Sequence, residues 1–548
     1  MIESPLWVTS MIMLPLIGAI FIFIFGRYSE RVLVPLVIIA MSISLWKLFL
    51  QVWTNGVQSY PIANWSIPLG VELYVDGLSI AMLIMTFIIS VFVSLYAFKY
   101  FSWFQEQTNW SIPIADKNTK ALSQTQHIAL PSSENNNENQ LVVVEETDSL
   151  PSNYVETVTL TTKRDPQAFP KGQANFLFWP LWLLLWGGLN ALFVSSNLFS
   201  FYVTLEILTL ASVPMIVLNN TVLALNAAMR YLLIAVFASI VYLLGIAFLY
   251  GVVGSLDIQS LALELRSGAT VWMAILLILI ALIIKSGIIP FWLTSTISNA
   301  PIPVIILLVA LVIKAAFYIL LRLWFEVFPN EILGLVSQLL GLIAAVIIIW
   351  ASWQALQQRQ LIRLLAYATV AQAAYLLLIF PLANGISDSW SFDAWQAGIY
   401  LSISHAFVLA ALFMVAGHIL YIVNSDFIHA MQGVGRISPL TLITFSIAGL
   451  CLIALPSILV NPIWQSGQWW WLVVIIIGTL LTASYIFKVL IILFTKLDDP
   501  VKHEGSLALS MILIPFLLSI LALSMGLFES EISRVLAMES PFGEINRN

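Results

Sequence analysis

Residues 282–314 read LIIKSGIIPFWLTSTISNAPIPVIILLVALVIK, and two ammonium groups, Lys285 and Lys314, stand in this otherwise apolar run. Pro290, Pro301 and Pro303 lie between them. A charge at mid-bilayer costs at least about 2.5–3.5 kcal/mol, so ionisable residues kept there face a protein interior and mark function. Pro290 removes a helical hydrogen bond, which predicts a break or kink just beyond Lys285. Broken helices at mid-membrane are where transporters build ion sites. The stretch thus predicts a polytopic membrane protein with a polar path through its interior.

The rest of the chain is of the same kind. Its 548 residues are 60% hydrophobic and 9% charged, against roughly 25% charged in a soluble domain. Mean hydropathy is +0.97. Apolar runs of about 20 residues, enough to cross a hydrocarbon core, recur from end to end. In lipid the backbone must satisfy its own hydrogen bonds, so these runs are helices and the fold class is all-α. The one cysteine, Cys451, excludes a disulfide framework and a cysteine-ligated iron–sulfur cluster. No glycine-rich dinucleotide fingerprint and no P-loop is present. No NADH, flavin, ATP, quinone or metal is therefore expected on this chain, and nothing points to nucleic acid. The first run lacks a basic leader and is read as a retained helix.

Fourteen spans are expected, near 5–26, 32–53, 78–103, 176–196, 197–219, 225–253, 271–292, 301–325, 331–352, 362–383, 395–423, 437–464, 469–495 and 505–527. Loops after odd-numbered spans carry Arg27, Arg31, Arg359, Arg363, Arg436, Lys496 and Lys502. Loops after even-numbered spans offer Arg266 and, at a helix edge, Arg322. The first set is expected on the cytoplasmic side, with both termini opposite. Residues 104–175 include NTKALSQTQ and SSENNNENQ and are read as a disordered cytoplasmic insertion.

Within the spans stand Glu206, Lys285, Lys314, His405 and Lys488. A lysine near a helix end can snorkel, its stem in lipid and its amine at the headgroups, and Lys488 suits that description better than Lys285. Glu206 is too short to snorkel and predicts an ion pair or a neutral buried acid. An acid, two lysines and a histidine on four spans are best read as a proton path, because each can gain or lose one.

YVDGLSIAMLIM (74–85), SNLFSFYVTLEILTLAS (196–212), AAMRYLLIAVFAS (227–239), KSGIIPF (285–291), NAPIPV (299–304), VIKAAFYILLRL (312–323), LIRLLAYATVAQAAYLLL (361–378) and SHAFVLAALFMVAG (404–417) occur in this order. Together they resemble the antiporter-like, proton-translocating subunits of respiratory complex I and of Mrp-type cation/proton antiporters, in a shorter, middle form. The resemblance implies two inverted five-helix repeats, 176–325 and 331–495, after an N-terminal three-helix segment (1–103) and before a last helix and tail (505–548). Spans 7 and 12 are broken in that family, here near Pro290 and Pro456. It further implies that Glu206 pairs with Lys285 and that Lys314 links the half-channels toward His405. Partner membrane subunits, with NAD(P)H and quinone handled only by them, follow from the same resemblance. Protons, or sodium with protons, are the implied cargo, in a bacterial plasma membrane or a thylakoid-type membrane.

The sequence departs from the pattern in its second half. Leu409 stands where a lysine follows the span 11 histidine, Gln360 and Ile362 where an acid and a lysine precede span 10, and WLTST (292–296) where a His-x-Trp-Leu-Pro-Asp stretch follows the span 7 proline. CLIALPSILVNPIWQSGQWWW (451–471) offers no ionisable group but Cys451. Asn461 and Lys488 are the candidates to stand in. Three readings stay open at this point: a conducting subunit, a structural subunit that moves no ions, and the membrane subunit of an inorganic-carbon uptake system.

Overall fold

The computed structural model describes residues 5–26, 28–61, 72–107, 173–383, 389–495, 509–538 and 540–542. Most of the insertion expected over 104–175, together with Arg27, Lys496 and Lys502, lies outside the described residues. Among those described, thirteen helices are long and apolar enough to cross a membrane, and a shorter apolar helix, Ala269–Lys285, joins them. They fall on the predicted spans in order, and the span numbers are kept below. The chain is an all-α, multi-pass integral membrane protein.

Burial sorts the spans into a wall and a centre. The apolar window of span 8 (Ile302–Val327) is wholly buried, and those of span 10 (Leu361–Leu382) and span 11 (Trp390–Val423) are 94% and 83% buried. Spans 1, 2, 6, 9 and 13 bury only 33–39% of theirs, and their outer faces carry large residues such as Phe23, Trp46 and Leu233. Lipid is as apolar as leucine, so helices associate here by close packing and by polar contacts rather than by escape from water. Gly245 of span 6 shows the first: a β-carbon there would lie 2.7 Å from Ile278 and 3.1 Å from the Ala274 carbonyl of span 7. Asn190 of span 4 shows the second, donating to the Met11 carbonyl of span 1 at 2.8 Å.

Two elements were not read from the sequence. Between spans 2 and 3, strands Gln58–Pro61 and Glu72–Val75 pair antiparallel, Gln58 opposite Val75 and Pro61 opposite Glu72. The Tyr74 N–H donates to the Val194 carbonyl at 2.8 Å, so this hairpin docks on the connection between spans 4 and 5. That connection is short because Asn197 caps span 5 (Leu198–Ile216), accepting the Phe199 N–H at 2.9 Å.

Both expected breaks are present, though the first is placed differently. The span 7 helix ends at Lys285, five residues before Pro290, and helix resumes at Leu293–Asn299. Gly287 has φ +69°, a left-handed conformation that a side chain resists, so the glycine ends the helix and the proline holds the turn that follows. Span 12 runs as Pro439–Ala454, a 3₁₀ stretch over Leu455–Leu459 containing Pro456, then Val460–Gln465. Pro301 and Pro303 sit at the start of span 8, where a missing N–H leaves no helical bond unmade. Arg322, counted above as a loop-side charge at a helix edge, is instead 2% exposed within span 8 and says nothing about orientation.

Candidate functional site

Lys285 is the last residue of the span 7 helix. A helix C-terminus presents unpaired carbonyls and the negative end of its dipole, which favours a cation. Those carbonyls are partly met locally: Ser286 Oγ donates to the Ile283 carbonyl at 2.8 Å and Trp292 Nε1 to the Ile284 carbonyl at 3.0 Å. The lysine amine is thereby left to face span 5. Its Nζ lies 3.5 Å from Glu206 Oε1, with the two side chains 6% and 24% exposed. Ser239 of span 6 (Val222–Val253) donates its hydroxyl to the same carboxylate oxygen. Three spans thus converge on one acid.

Lys314 is fully buried in the helix of span 8, so a snorkelling role is ruled out. Its Nζ is 2.6 Å from His405 Nδ1 of span 11 (Ser389–Val423). A nitrogen–nitrogen hydrogen bond needs one donor and one acceptor, so at least one of the two groups meets the other through an unprotonated nitrogen. His405 Nε2 is buried and has no partner among the described residues. The turn before Lys314, Leu308–Val312, is π-helical, a widening that recurs at functional sites.

A cavity of about 20 Å³ borders Lys285 and is also lined by Thr209, Tyr231, Trp292, Val312 and Ala316, space for about one water. Val312 and Ala316 flank Lys314 by two residues each, on the far side of the span 8 helix from its lysine. The geometry therefore brings the four candidates together as two pairs, Glu206 with Lys285 and Lys314 with His405. Span 8 stands between them.

The family model described as "NADH:quinone oxidoreductase/Mrp antiporter, TM" matches residues 195–482, more than half of the chain and the whole of this site. The chain belongs to this family. A relative called NADH-quinone oxidoreductase subunit N, from Desulforudis audaxviator, is 33% identical over 59% of this chain and 65% of its own length. A Na(+)/H(+) antiporter subunit of Alkalihalophilus pseudofirmus is 22% identical over 82% of this chain and 77% of its own. Of the first of these relatives the chain thus spans slightly less than two thirds. A chain of the Mrp complex from Dietzia shares the fold, with a TM-score of 0.76 at 18% identity over 98% of both chains. A chain of Thermus thermophilus respiratory complex I also shares it, with a TM-score of 0.64 at 19% identity over 95% of this chain and 98% of that one.

Within this member of the NADH:quinone oxidoreductase/Mrp antiporter family, the remaining candidates lie elsewhere. Lys488 of span 13 (Trp470–Phe494) donates to the carbonyls of Leu356 at 2.8 Å and Gln358 at 2.7 Å, capping the end of span 9 (Asn330–Gln357). It makes no contact with the two pairs among the described residues. Asn461 is exposed and lines a surface cleft beside span 11. Among the described residues no group of three or more His, Cys, Asp or Glu side chains converges as metal ligands.

Sequence reasoning missed a second buried cluster. Arg322 meets Asp76 through bonds of 2.5 and 2.6 Å and Glu326 at 2.6 Å, and stands 5.2–5.5 Å from the centres of the Tyr74 and Tyr318 rings. Tyr318 donates to the Phe193 carbonyl at 2.8 Å. The signal was available in YVDGLS: Asp76 stands three residues before Ser79, the spacing of a helix cap, and its Oδ1 does accept the Ser79 N–H at 2.8 Å. Its pairing with an arginine almost 250 residues later has no local sign.

Proposed function

We propose that this chain conducts protons as one subunit of a larger membrane complex, redox-driven like complex I or an Mrp-type antiporter. The observation that carries the reading is the contact between Lys314 and His405, two bases 2.6 Å apart in a fully buried setting. A purely structural core favours packed apolar groups over buried bases, because taking charges out of water and lipid headgroups is costly. The Glu206–Lys285 pair, at the end of a broken helix and beside a water-sized cavity, is a second such investment. In this reading a proton held at Lys285 is released when Glu206 moves away, and Lys314 with His405 passes it to the second half of the chain.

Spans 4–8 and 9–13 are taken as the two repeats. The loops after odd-numbered spans are placed on the cytoplasmic side, with both termini opposite. NAD(P)H and quinone, or sodium, act through or alongside partner subunits, as the names of the relatives suggest. The test is reconstitution of the chain with its partners in vesicles, followed by Lys285→Ala and Glu206→Gln. Both are expected to abolish the pH gradient that the driven complex builds. A gradient formed at the wild-type rate in both variants refutes conduction through this pair.

A further inference from the structure

The break of span 12 lacks the charged group that a proton leaving the second half needs, but a polar cleft opens beside it. About 590 Å³ in volume, it lies between the start of span 11, the end of span 12 and the C-terminal segment Met525–Leu536. That is wide enough to admit water. Asp393, Gln396, Tyr400, Asn461, Ser530 and Ser533 line it. The three elements meet on one face of the protein, that of the loops after spans 10, 12 and 14. Gln396 braces the wall, its Nε2 donating to Ser533 Oγ at 2.9 Å and to the Ser533 carbonyl at 3.2 Å. Asp393 is half-buried and forms no ion pair among the described residues.

Asp393, Gln396, Tyr400 and Ser404 follow one another at steps of three, four and four residues, so they share one face of span 11. The eleven-residue step from Asp393 to Ser404 covers about 16 Å of helix. Ser404 precedes His405, and both Ser404 Oγ and His405 Nε2 are buried without a partner among the described residues. Polar side chains on one face of span 11 therefore extend from the cleft to Ser404, the residue next to His405 in the chain.

We propose that the cleft is the aqueous port of the second half and that Asp393 is its proton-exchanging group, serving from span 11 in place of the absent charge in span 12. A proton arriving along the stripe forms an O–H bond on the Asp393 carboxylate. Transfer of that proton to water in the cleft breaks the bond and restores the carboxylate, so charge and atoms balance. The port rests on the conduction reading above, and its test separates the two.

The assembled complex in vesicles is assayed for proton translocation with Asp393→Asn, Asp393→Glu and Lys285→Ala. Asp393→Asn is expected to slow translocation about tenfold at unchanged assembly, less than a positioned acid or base buried from water would contribute. Asp393→Glu is expected to keep most of the rate. Wild-type translocation in Asp393→Asn, with Lys285→Ala inactive, overturns the port and leaves conduction standing. Wild-type translocation in both overturns the two together. A second measurement is independent of transport. In a Cys451→Ala background, which removes the one native cysteine, Asn461→Cys and Ala397→Cys are treated with a small cationic thiol reagent, beside the buried control Leu459→Cys. Modification of the first two and not the third is expected. If Asn461→Cys and Ala397→Cys stay unmodified, a partner or lipid fills the cleft, and the proposal fails.

Discussion

Replacing Asp76 by Asn tests how span 8 is held where its lysine can work. Arg322 lies eight residues, about 12 Å of helix, beyond Lys314 in the same span. It is anchored to the start of span 3 by two bonds that it donates to the Asp76 carboxylate, with side-chain exposures of only 2% and 4%. Breaking a buried ion pair by removing one partner typically costs about 3–5 kcal/mol. Glu326 stays 2.6 Å from the guanidinium and keeps it paired, so the expected loss for Asp76→Asn is smaller, about 2–3 kcal/mol. Asparagine is still a good helix cap, whereas Asp76→Ala also frees the Ser79 N–H and adds about 1 kcal/mol. The measurement is equilibrium unfolding of the purified protein in detergent for wild type, Asp76→Asn, Asp76→Ala, Arg322→Met and the Asp76→Ala/Arg322→Met double variant. The double replacement removes both charges and is expected to cost less than the two single losses added together. A loss for Asp76→Asn within about 0.5 kcal/mol of zero, the range of an ordinary surface change, refutes the anchor.

Three further outcomes follow from the same structure. Gly287→Ala places a side chain at φ +69°, with its β-carbon 3.0 Å from Leu293 and 3.2 Å from Trp292. It is expected to lower unfolding stability by more than about 1 kcal/mol and to slow translocation, because the end of the span 7 helix moves with it. Lys488→Met frees the Leu356 and Gln358 carbonyls and should cost about 1.5–3 kcal/mol of stability. Translocation per assembled complex should be unchanged, and a specific loss of transport would restore Lys488 as a relay. Asp426, in the loop after span 11, accepts the Ile362 N–H at 3.0 Å, and burial pushes its carboxyl up to about 6 from an ordinary 3.8. The folded state therefore holds this proton more tightly than the unfolded chain does. Its contribution is full below the ordinary value and is lost as pH rises through about 6. Melting temperatures measured across that window should fall with pH in the wild type, and more shallowly in Asp426→Asn.

How much of the site was legible depends on how local its causes are. Lys285 and Pro290 lie five residues apart, so a broken helix beside a buried charge could be read directly. The structure then moved the cause of the break to Gly287, since a positive φ is a property of a backbone already folded. The partners of Lys285 and Lys314 lie 79 and 91 residues away, and only the resemblance joined them in advance. Arg322 was misread for the same reason. At the end of an apolar run an arginine reads as an interface charge, and its carboxylate lies 246 residues earlier. The carbonyls that Lys488 meets could not be read either, because nothing in its own span shows that span 9 ends against it.

By itself the sequence determined the class, the order of the apolar helices and the identity of the ionisable groups. Length and hydropathy decide what can sit in lipid, and a lone charge in such a run is conspicuous. Tertiary structure alone decided which helices are central and which lie at the outside of the chain, because most spans are apolar all round and carry no periodic signal of their inner side. It also decided the pairing of acids and bases. In the second half it separated the bare break of span 12 from the polar face of span 11, whose cleft exists only where three distant segments meet.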